Sequence, residues 1–365
     1  MILFKRLRKR LNIKRTLMTL KKPSIRDVAK KAGVSTATVS HVINKSRFVT
    51  TETKNKVLIA IKELGYYPSA AAKSLMSNES KIIGVVFSDI SNTFFTEIYM
   101  GIEFVLAENN YEVSLANTGE SIIKQEKVLK AMLSRGVDGL IIAPTNKESE
   151  TLNFIVDSEI PVVFLDRYGA HPDIDIIQIN NKLSAYDATS HLISDGHKRI
   201  GIVIGLENVT TTHQRLEGYK QALDENGIPF EKGLVIKGGS EKEKAYKGVM
   251  KLLESKEWPS AIFSTNNLMT LGVLAAFREQ NVNCPKDIGL ICFDDPVWAE
   301  ICFPPLSVVK QPTLEIGSSA ANILLRKIQE EKTEVISESL EATLIIRGSC
   351  SESCYEVYKK GKGNN

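Results

Sequence analysis

Residues 24–44 read SIRDVAKKAGVSTATVSHVIN. The side chains this stretch can turn outward, Thr36, Ala37, Ser40 and His41, have the sizes and chemistries that read a base-pair edge. Thr36 and His41 can hydrogen-bond, whereas Ala37 can only pack, for instance on a thymine methyl. They face outward because Val39, Val42 and Ile43 lie on the other side of the same helix and are needed inside. Ser35 can cap that helix through its hydroxyl. Gly33 sits where the chain must turn, and Ala29 where a preceding helix must pack closely. The expectation is two short helices around a tight turn, the second shaped for a DNA major groove. An ordinary helical hairpin within a core is the alternative. The simultaneous fit of the Ala, Gly, Ser and Val positions favours the groove reading.

The charge distribution supports it. The net charge of +4 hides an asymmetry: residues 1–80 carry 18 Lys and Arg against 4 acids, and the remainder 29 against 39. A basic head on an acidic body suits a nucleic-acid reader with a separate regulatory body, although a basic head alone also suits a membrane-surface arm. The 365 residues exceed one ordinary core and imply two or three domains. With 43% hydrophobic and 25% charged residues the composition is that of a soluble globular protein.

No run of about twenty apolar residues exists to span a membrane. Residues 1–22 carry 9 basic and no acidic residues but lack the apolar stretch and cleavage site of a secretion signal. They read as a basic arm touching phosphates, or as a stretch upstream of a true start at Met18. The expected location is the cytoplasm. The five cysteines, Cys284, Cys292, Cys302, Cys350 and Cys354, form no paired CxxC pattern with nearby histidines and read as isolated core or surface residues. The four-residue spacing of Cys350 and Cys354 is by itself weak evidence for a metal. No metal or cofactor is expected.

The elements that must position these groups follow from periodicity. A third helix is predicted over Thr51–Leu64, with Val57, Ile61 and Leu64 at helical spacing and Gly65 ending it. Residues 68–76, PSAAAKSLM, favour helix but are too short to hold one alone in water, so they read as a linker that becomes helical when supported. From Lys81 apolar strands alternate with amphipathic helices. Strands are predicted at 82–87, 111–117, 139–144, 162–166, 176–180, 200–205, 233–237, 261–266 and 288–295, with helices between them, for example at 94–109 and 121–135. This alternation means an α/β body of two doubly wound parallel sheets covered on both faces. Ligand would bind between them, at the carboxyl ends of the strands. The first lobe is expected over about 81–180 and 310–336, and the second over about 181–309 and 337–350. A polar tail follows at 351–365.

The ordered motifs IRDVAKKAGVS, TVSHVIN and LGYYPSAAAKSL, followed by FLDR (164–167), RLEGY (215–219), STNN (264–267), FDD (293–295) and FPPLSVVKQP (303–312), resemble the LacI family of bacterial transcription regulators over residues 24–350. The resemblance implies a helix-turn-helix headpiece (23–67), a hinge helix (68–80) and a body like two-lobed sugar-binding proteins (81–350). It also implies a homodimer reading a near-palindromic operator in double-stranded DNA. Under it, Thr36, Ala37 and His41 meet base edges, and Ser24, Thr38, Ser40, Asn44, Lys45 and Arg47 meet phosphates. Leu75 would wedge into the minor groove at the central base step, while Met76 departs from the basic residue common at the next position.

In the body the resemblance places Phe94, Phe95, Asp166, Arg215, Asn266 and Asp294 around the effector. Sugars need bidentate polar groups at their hydroxyls and an aromatic face against the ring. Around 239–246 (GSEKEKAY), where many members of the family offer an aromatic to stack on the ligand, there is no equivalent before Tyr246; that leaves a sugar, sugar acid or sugar phosphate open, and the added lysines would suit an acidic or phosphorylated sugar. A sugar-binding module without DNA function would explain the body but not residues 24–76. An enzyme is not expected: there is no GxGxxG after a strand, no GxSxG and no HExxH, and the five histidines are scattered.

Overall fold

The computed structural model describes residues 23–67, 79–145, 150–158, 160–167, 174–255, 257–330 and 334–362. The basic arm (1–22) and most of the hinge segment, with Leu75 and Met76, lie outside them. The chain divides into two units, one ending at Ser80 and the other beginning at Lys81.

The first unit is three helices, α1 (Ile25–Ala32), α2 (Thr36–Asn44) and α3 (Thr51–Leu64). Each start is capped by a hydroxyl, from Ser24, Ser35 and Thr50 respectively, which satisfies a backbone N–H that the helix cannot. Ser24 and Asp27 cap each other reciprocally. Gly33 turns the chain at φ 67°, in the left-handed region that favours glycine. Val28, Ala29, Val39, Val42, Val57 and Ala60 form the small core, with Ile43, Ile61 and Leu64 half-buried around it.

The second unit contains two six-stranded sheets. The first lobe carries β1 (Ile82–Phe87), β2 (Glu112–Asn117), β3 (Gly139–Ile142), β4 (Val162–Leu165), β5 (Asp175–Ile179) and β11 (Ser337–Leu340), in the order β11-β5-β4-β3-β1-β2. The second carries β6 (Ile200–Ile204), β7 (Val235–Lys237), β8 (Ala261–Ser264), β9 (Gly289–Phe293), β10 (Ser307–Lys310) and β12 (Thr343–Ile345), in the order β12-β10-β9-β8-β6-β7. Every pairing is parallel except β10 with β12. Among the described residues the helices are α4 (Thr93–Glu108), α5 (Ile122–Ser134), α6 (Glu150–Asp157), α7 (Asn181–Ser194), α8 (Thr210–Glu225), α9 (Lys242–Leu253), α10 (Asn267–Glu279), α11 (Val297–Ile301), α12 (Thr313–Gln329) and α13 (Glu352–Lys362). The chain passes between the lobes three times, near Asn180, at Gln311–Pro312 and at Glu341–Ala342.

Three findings revise the sequence reading. Residues 337–340 join the first lobe's sheet rather than the second: β11 pairs with β5, and Ile336 N donates to Asp175 Oδ1 at 2.7 Å. Its sequence, SESL, alternates exposed and half-buried positions, the pattern of an edge strand with no apolar run to announce it. The polar tail carries a helix, α13, over 352–362, which the sequence reading did not assign. The strand at 233–237 is shorter than expected, since a single 3-10 turn fills Lys232–Leu234.

α4 and α12 cross at two glycines. A Cβ on Gly101 would collide with the carbonyl oxygen of Leu314, and one on Gly317 with that of Ile98. Gly317→Ala is therefore expected to force the helices apart at a cost of about 1–3 kcal/mol, the range for overpacking a tight interior. Urea unfolding of the variant measures it, and wild-type stability would show that the crossing can widen freely.

Candidate functional site

In the first unit Thr36 and Ala37 are exposed on the first turn of α2, and His41 is half-buried one turn later. His41 Nδ1 lies 2.9 Å from Ser46 Oγ, so the loop after α2 orients the imidazole and leaves Nε2 to meet a partner. Ser46 was not singled out by the sequence, because its role depends on the loop folding back. Asn44, Lys45 and Arg47 are exposed at the end of the same helix, with Lys45 at φ 51°. Ser40 accepts from Asn44 Nδ2 at 3.2 Å. Ser24 and Thr38 are already engaged in capping: the Ser24 hydroxyl donates to Asp27 Oδ2 at 2.7 Å, and Thr38 Oγ1 lies 2.9 Å from Ser35 Oγ.

In the second unit the carboxyl ends of the strands converge on a cleft between the lobes, the position expected for open parallel sheets. Asp166 follows β4 and Asp294 follows β9. Both adopt left-handed backbone, at φ 61° and 72°, and each N–H continues the sheet, to Ile177 O and Val309 O, both at 2.9 Å. This conformation is uncommon for a side chain other than glycine; here it ends each strand while its last N–H still pairs. Arg215, on the second turn of α8, is buried. Its Nε donates to Asn181 Oδ1 at 2.8 Å and Nη1 to Thr265 O at 2.6 Å, and the guanidinium lies 3.7 Å from the Phe293 ring centroid. Its hydrogen-bond partners are neutral; Asp166 and Asp294 are the acids it faces, and the Arg167 guanidinium repels it.

Those environments set the charges. Burial pushes the Asp166 carboxyl up against the pull of Arg167 and Arg215. Burial likewise raises Asp294, opposed by Arg215, Gln311 and the Asn267 N–H. Burial lowers Arg215, with Asp166 and Asp294 opposing. Arg167 also faces burial, but its fork-to-fork pair with Glu120, at 2.8 and 2.9 Å, outweighs it and holds the group above its ordinary value.

The void among these groups is about 40 Å³, and it is lined by Phe94, Phe95, Asp166, Arg215, Asn266 and Asp294 together with other polar residues. A wider mouth of about 440 Å³ is bordered by Asn92, Phe95, Arg167, Ser240, Asn266 and others. Asn266 caps α10, accepting from Met269 N at 2.7 Å. The Phe pair serves two ends, since both rings also pack in the core, Phe95 5.2 Å from Phe87.

Several residues of the cleft were not legible beforehand. Asn267 Nδ2 donates to Asn92 Oδ1 at 2.8 Å and to Thr93 Oγ1 at 3.1 Å, latching one lobe to the other. Gln311, in a crossing segment, donates to Asp294 Oδ1 at 2.7 Å. Arg167 was within a recognised motif but not assigned to the site. The lysines of 239–246, Lys242 and Lys244, do not line the cleft, and Lys244 pairs with Glu241 at 2.7 Å. The suggestion that they receive an acidic sugar therefore loses its support.

A helical headpiece and a two-lobed body with a polar interlobe cleft define a ligand-responsive DNA-binding protein. Residues 24–69 match the lacI family of bacterial regulatory proteins, and residues 189–350 match a periplasmic binding protein-like domain. The chain is 38% identical over 330 residues to the HTH-type transcriptional repressor PurR of Haemophilus influenzae (strain PittEE), covering 89% of this chain and 98% of the relative. It is 35% identical over 330 residues to PurR of Photobacterium profundum, covering 90% and 99%. Among solved structures it is similar to the lac repressor dimer bound to operator and the anti-inducer ONPF, with TM-score 0.80, 25% identity and coverage of 91% and 100%. It is also similar to the regulator CelR in complex with cellobiose, with TM-score 0.69, 29% identity and coverage of 90% and 99%. The chain belongs to the lacI family of bacterial regulatory proteins. It is a DNA-binding transcriptional repressor controlled by a small-molecule effector.

Proposed function

We propose that the protein binds a near-palindromic operator as a homodimer and that its effector is a neutral polyhydroxylated molecule, a sugar, seated in the interlobe cleft. The observation that carries the effector reading is the trio Asp166, Arg215 and Asp294: two buried carboxylates that can accept from vicinal hydroxyls around one cation. Phe94 and Phe95 supply the apolar edge. Solved relatives with cellobiose and with ribose bound support a sugar. The carboxylates act here as acceptors rather than acid–base catalysts, because Asp294 is engaged by Gln311 and the Asn267 N–H. No helix among the described residues is long and apolar enough to cross a membrane, and the proposed location is the cytoplasm.

On DNA, Thr36, Ala37 and His41 are proposed to contact base edges. Ser24, Thr38, Ser40, Asn44, Lys45 and Arg47 are proposed to contact phosphates, and Leu75 the central minor groove. Footprinting of the purified protein on the DNA around its own gene tests the assignment. A protected near-palindrome distorted at its centre is expected, and no protection at any salt, with or without sugars, would overturn it. A thermal-shift series of neutral sugars, sugar acids, sugar phosphates and nucleobases tests the effector class. Stabilisation by a nucleobase alone would replace the sugar reading.

The raised carboxyls give effector binding a pH dependence. Hydroxyls that donate to Asp166 and Asp294 favour the ionised forms, so binding expels protons. Affinity should rise with pH through the range where these groups titrate in the free cleft, by about tenfold per pH unit for each proton expelled, and then level off. Folding has the opposite sign: carboxyls raised in the folded state favour it most below their unfolded pKa, and that contribution is lost as pH rises through the folded one. Calorimetry in buffers of different ionisation enthalpy reads the proton count, and net proton uptake would reverse the assignment.

A further inference from the structure

His191 and Asp195 lie one helical turn apart at the end of α7. Cys350 and Cys354 lie the same interval apart where the chain enters α13. The fold brings the two pairs together. His191 Nε2 is 3.5 Å from Asp195 Oδ2 and 3.7 Å from Cys354 Sγ, which donates to the same Asp195 Oδ2 at 3.1 Å. One ligand atom from each of the four residues falls within 4.8 Å of all the others. We propose that His191, Asp195, Cys350 and Cys354 form a structural zinc site that fastens the C-terminal helix to the second lobe.

The geometry suits that ion. Bond lengths of about 2.3 Å to sulfur and 2.0–2.1 Å to nitrogen or oxygen place tetrahedral ligand atoms about 3.3–3.8 Å apart; the separations among His191, Asp195 and Cys354 are 3.1–3.7 Å, and Cys350 lies within 4.8 Å of all three. Two thiolates with an imidazole and a carboxylate select a borderline-soft, tetrahedral ion over magnesium or calcium. Four protein ligands leave no open position, which is the signature of a structural site.

The surroundings support the ligands. Arg347 N donates to Ser307 Oγ at 2.9 Å, leaving the buried Ser307 hydroxyl proton free for Cys350 Sγ, 3.2 Å away. Such outer partners hold a sulfur ligand in place. Ser351 Oγ accepts from Cys354 N at 3.2 Å, fixing the first turn of α13. The neighbouring His197 does not compete, because its two ring nitrogens meet Ser260 Oγ and Cys350 O. Without metal, Cys354 Sγ–H donates to Asp195 Oδ2. Zinc replaces the thiol protons, which makes binding pH-dependent. Beyond the cluster, α13 is held by Tyr355 edge-on to Phe303, with centroids 5.9 Å apart.

The test uses the full chain, purified with reductant and dialysed against zinc sulfate and then against metal-free buffer. One zinc per chain by mass spectrometry is expected. With cobalt(II) in its place, the protein should show the visible ligand-field bands of a tetrahedral site and thiolate-to-cobalt charge transfer. Cys354→Ser should lose about half of the charge-transfer absorption. It should also weaken zinc binding by more than about 100-fold, since loss of an outer partner alone costs about 10–100-fold. His191→Gln should keep the charge transfer but shift the ligand-field bands. Failure of the wild-type chain to retain zinc, an octahedral cobalt spectrum, or full retention by a Cys354→Ser/His191→Gln double variant would overturn the site. A wild-type mass two hydrogens light, reporting a Cys350–Cys354 disulfide in the reduced preparation, would do the same. The cobalt spectrum of the wild-type chain decides the matter even if a variant fails to fold.

Discussion

Arg215→Met should destabilise the body by about 3–5 kcal/mol at neutral pH and abolish the effector-dependent change in operator affinity. The magnitude is that of removing one partner from a buried ion group, which strands the charges left behind. Arg215 is 7% exposed, and Asp166 and Asp294, the two acids it faces, are each also 7% exposed. Methionine fills much of the same volume against Phe293 but offers no donor to Asn181 Oδ1 or Thr265 O. The deficit should be pH-dependent in a fixed direction. Without the cation, both carboxyls titrate higher still, so acidification protonates them and narrows the gap from wild type. Urea melts of the two proteins at descending pH read this directly. A gap constant with pH would mean that the loss is packing rather than charge. Arg215→Lys should recover part of the stability and little of the response, because an ammonium lacks the planar fork that spans two acceptors. A stable, responsive Arg215→Met protein would remove the trio from the effector site.

What the sequence reveals and conceals follows from how local each signal is. α3 was legible, because Gly65 and the spacing of Val57, Ile61 and Leu64 all lie within it or at its end. The central strands of both sheets were legible as apolar runs, because burial on two faces leaves no alternation to decode. Asp166 and Asp294 were placed at the effector by the resemblance to the LacI family, through the matched motifs FLDR and FDD. Asn267 was not, because its partner Asn92 lies 175 residues away and an Asn–Asn latch has no local pattern. Gln311 lay within the matched motif FPPLSVVKQP but was not assigned to the cleft, because nothing local aims its amide at Asp294. The pairs His191/Asp195 and Cys350/Cys354 each look ordinary alone, and the cluster exists only because β12 and α13 return the chain to α7. The lysines of 239–246 show the opposite case: Lys242 and Lys244 are close in sequence to cleft-lining Ser240, but they lie on α9 away from the cleft lining, and Lys244 pairs with Glu241. β11 escaped because an edge strand needs little apolar character to pair.

His41→Ala should weaken operator binding by about 1–3 kcal/mol, the scale of one base-edge contact, and the loss should fall on one base-pair position in each half-site. Ser46 Oγ lies 2.9 Å from Nδ1, so under the proposed base contact Nε2 is the nitrogen left to meet DNA. If Ser46 donates, Nε2 carries the proton and selects an acceptor such as guanine N7 or O6; if Ser46 accepts, Nε2 selects an exocyclic amine. Either way the imidazole discriminates, and alanine at that place cannot. Affinities measured for operators carrying every base at each half-site position should show the preference flatten at one position and persist elsewhere. Binding to unrelated DNA and the slope of affinity against salt should stay as in wild type, because no phosphate contact is lost. Lys45→Ala provides the contrast: it should weaken all DNAs alike and reduce the salt slope by about one unit. Ser46→Ala should blur the preference at the His41 position without erasing it, since the ring can then adopt either tautomer. A His41→Ala protein that loses affinity equally on every sequence and at a lower salt slope would place the imidazole on the phosphate backbone and leave Thr36 and Ala37 to carry the base reading.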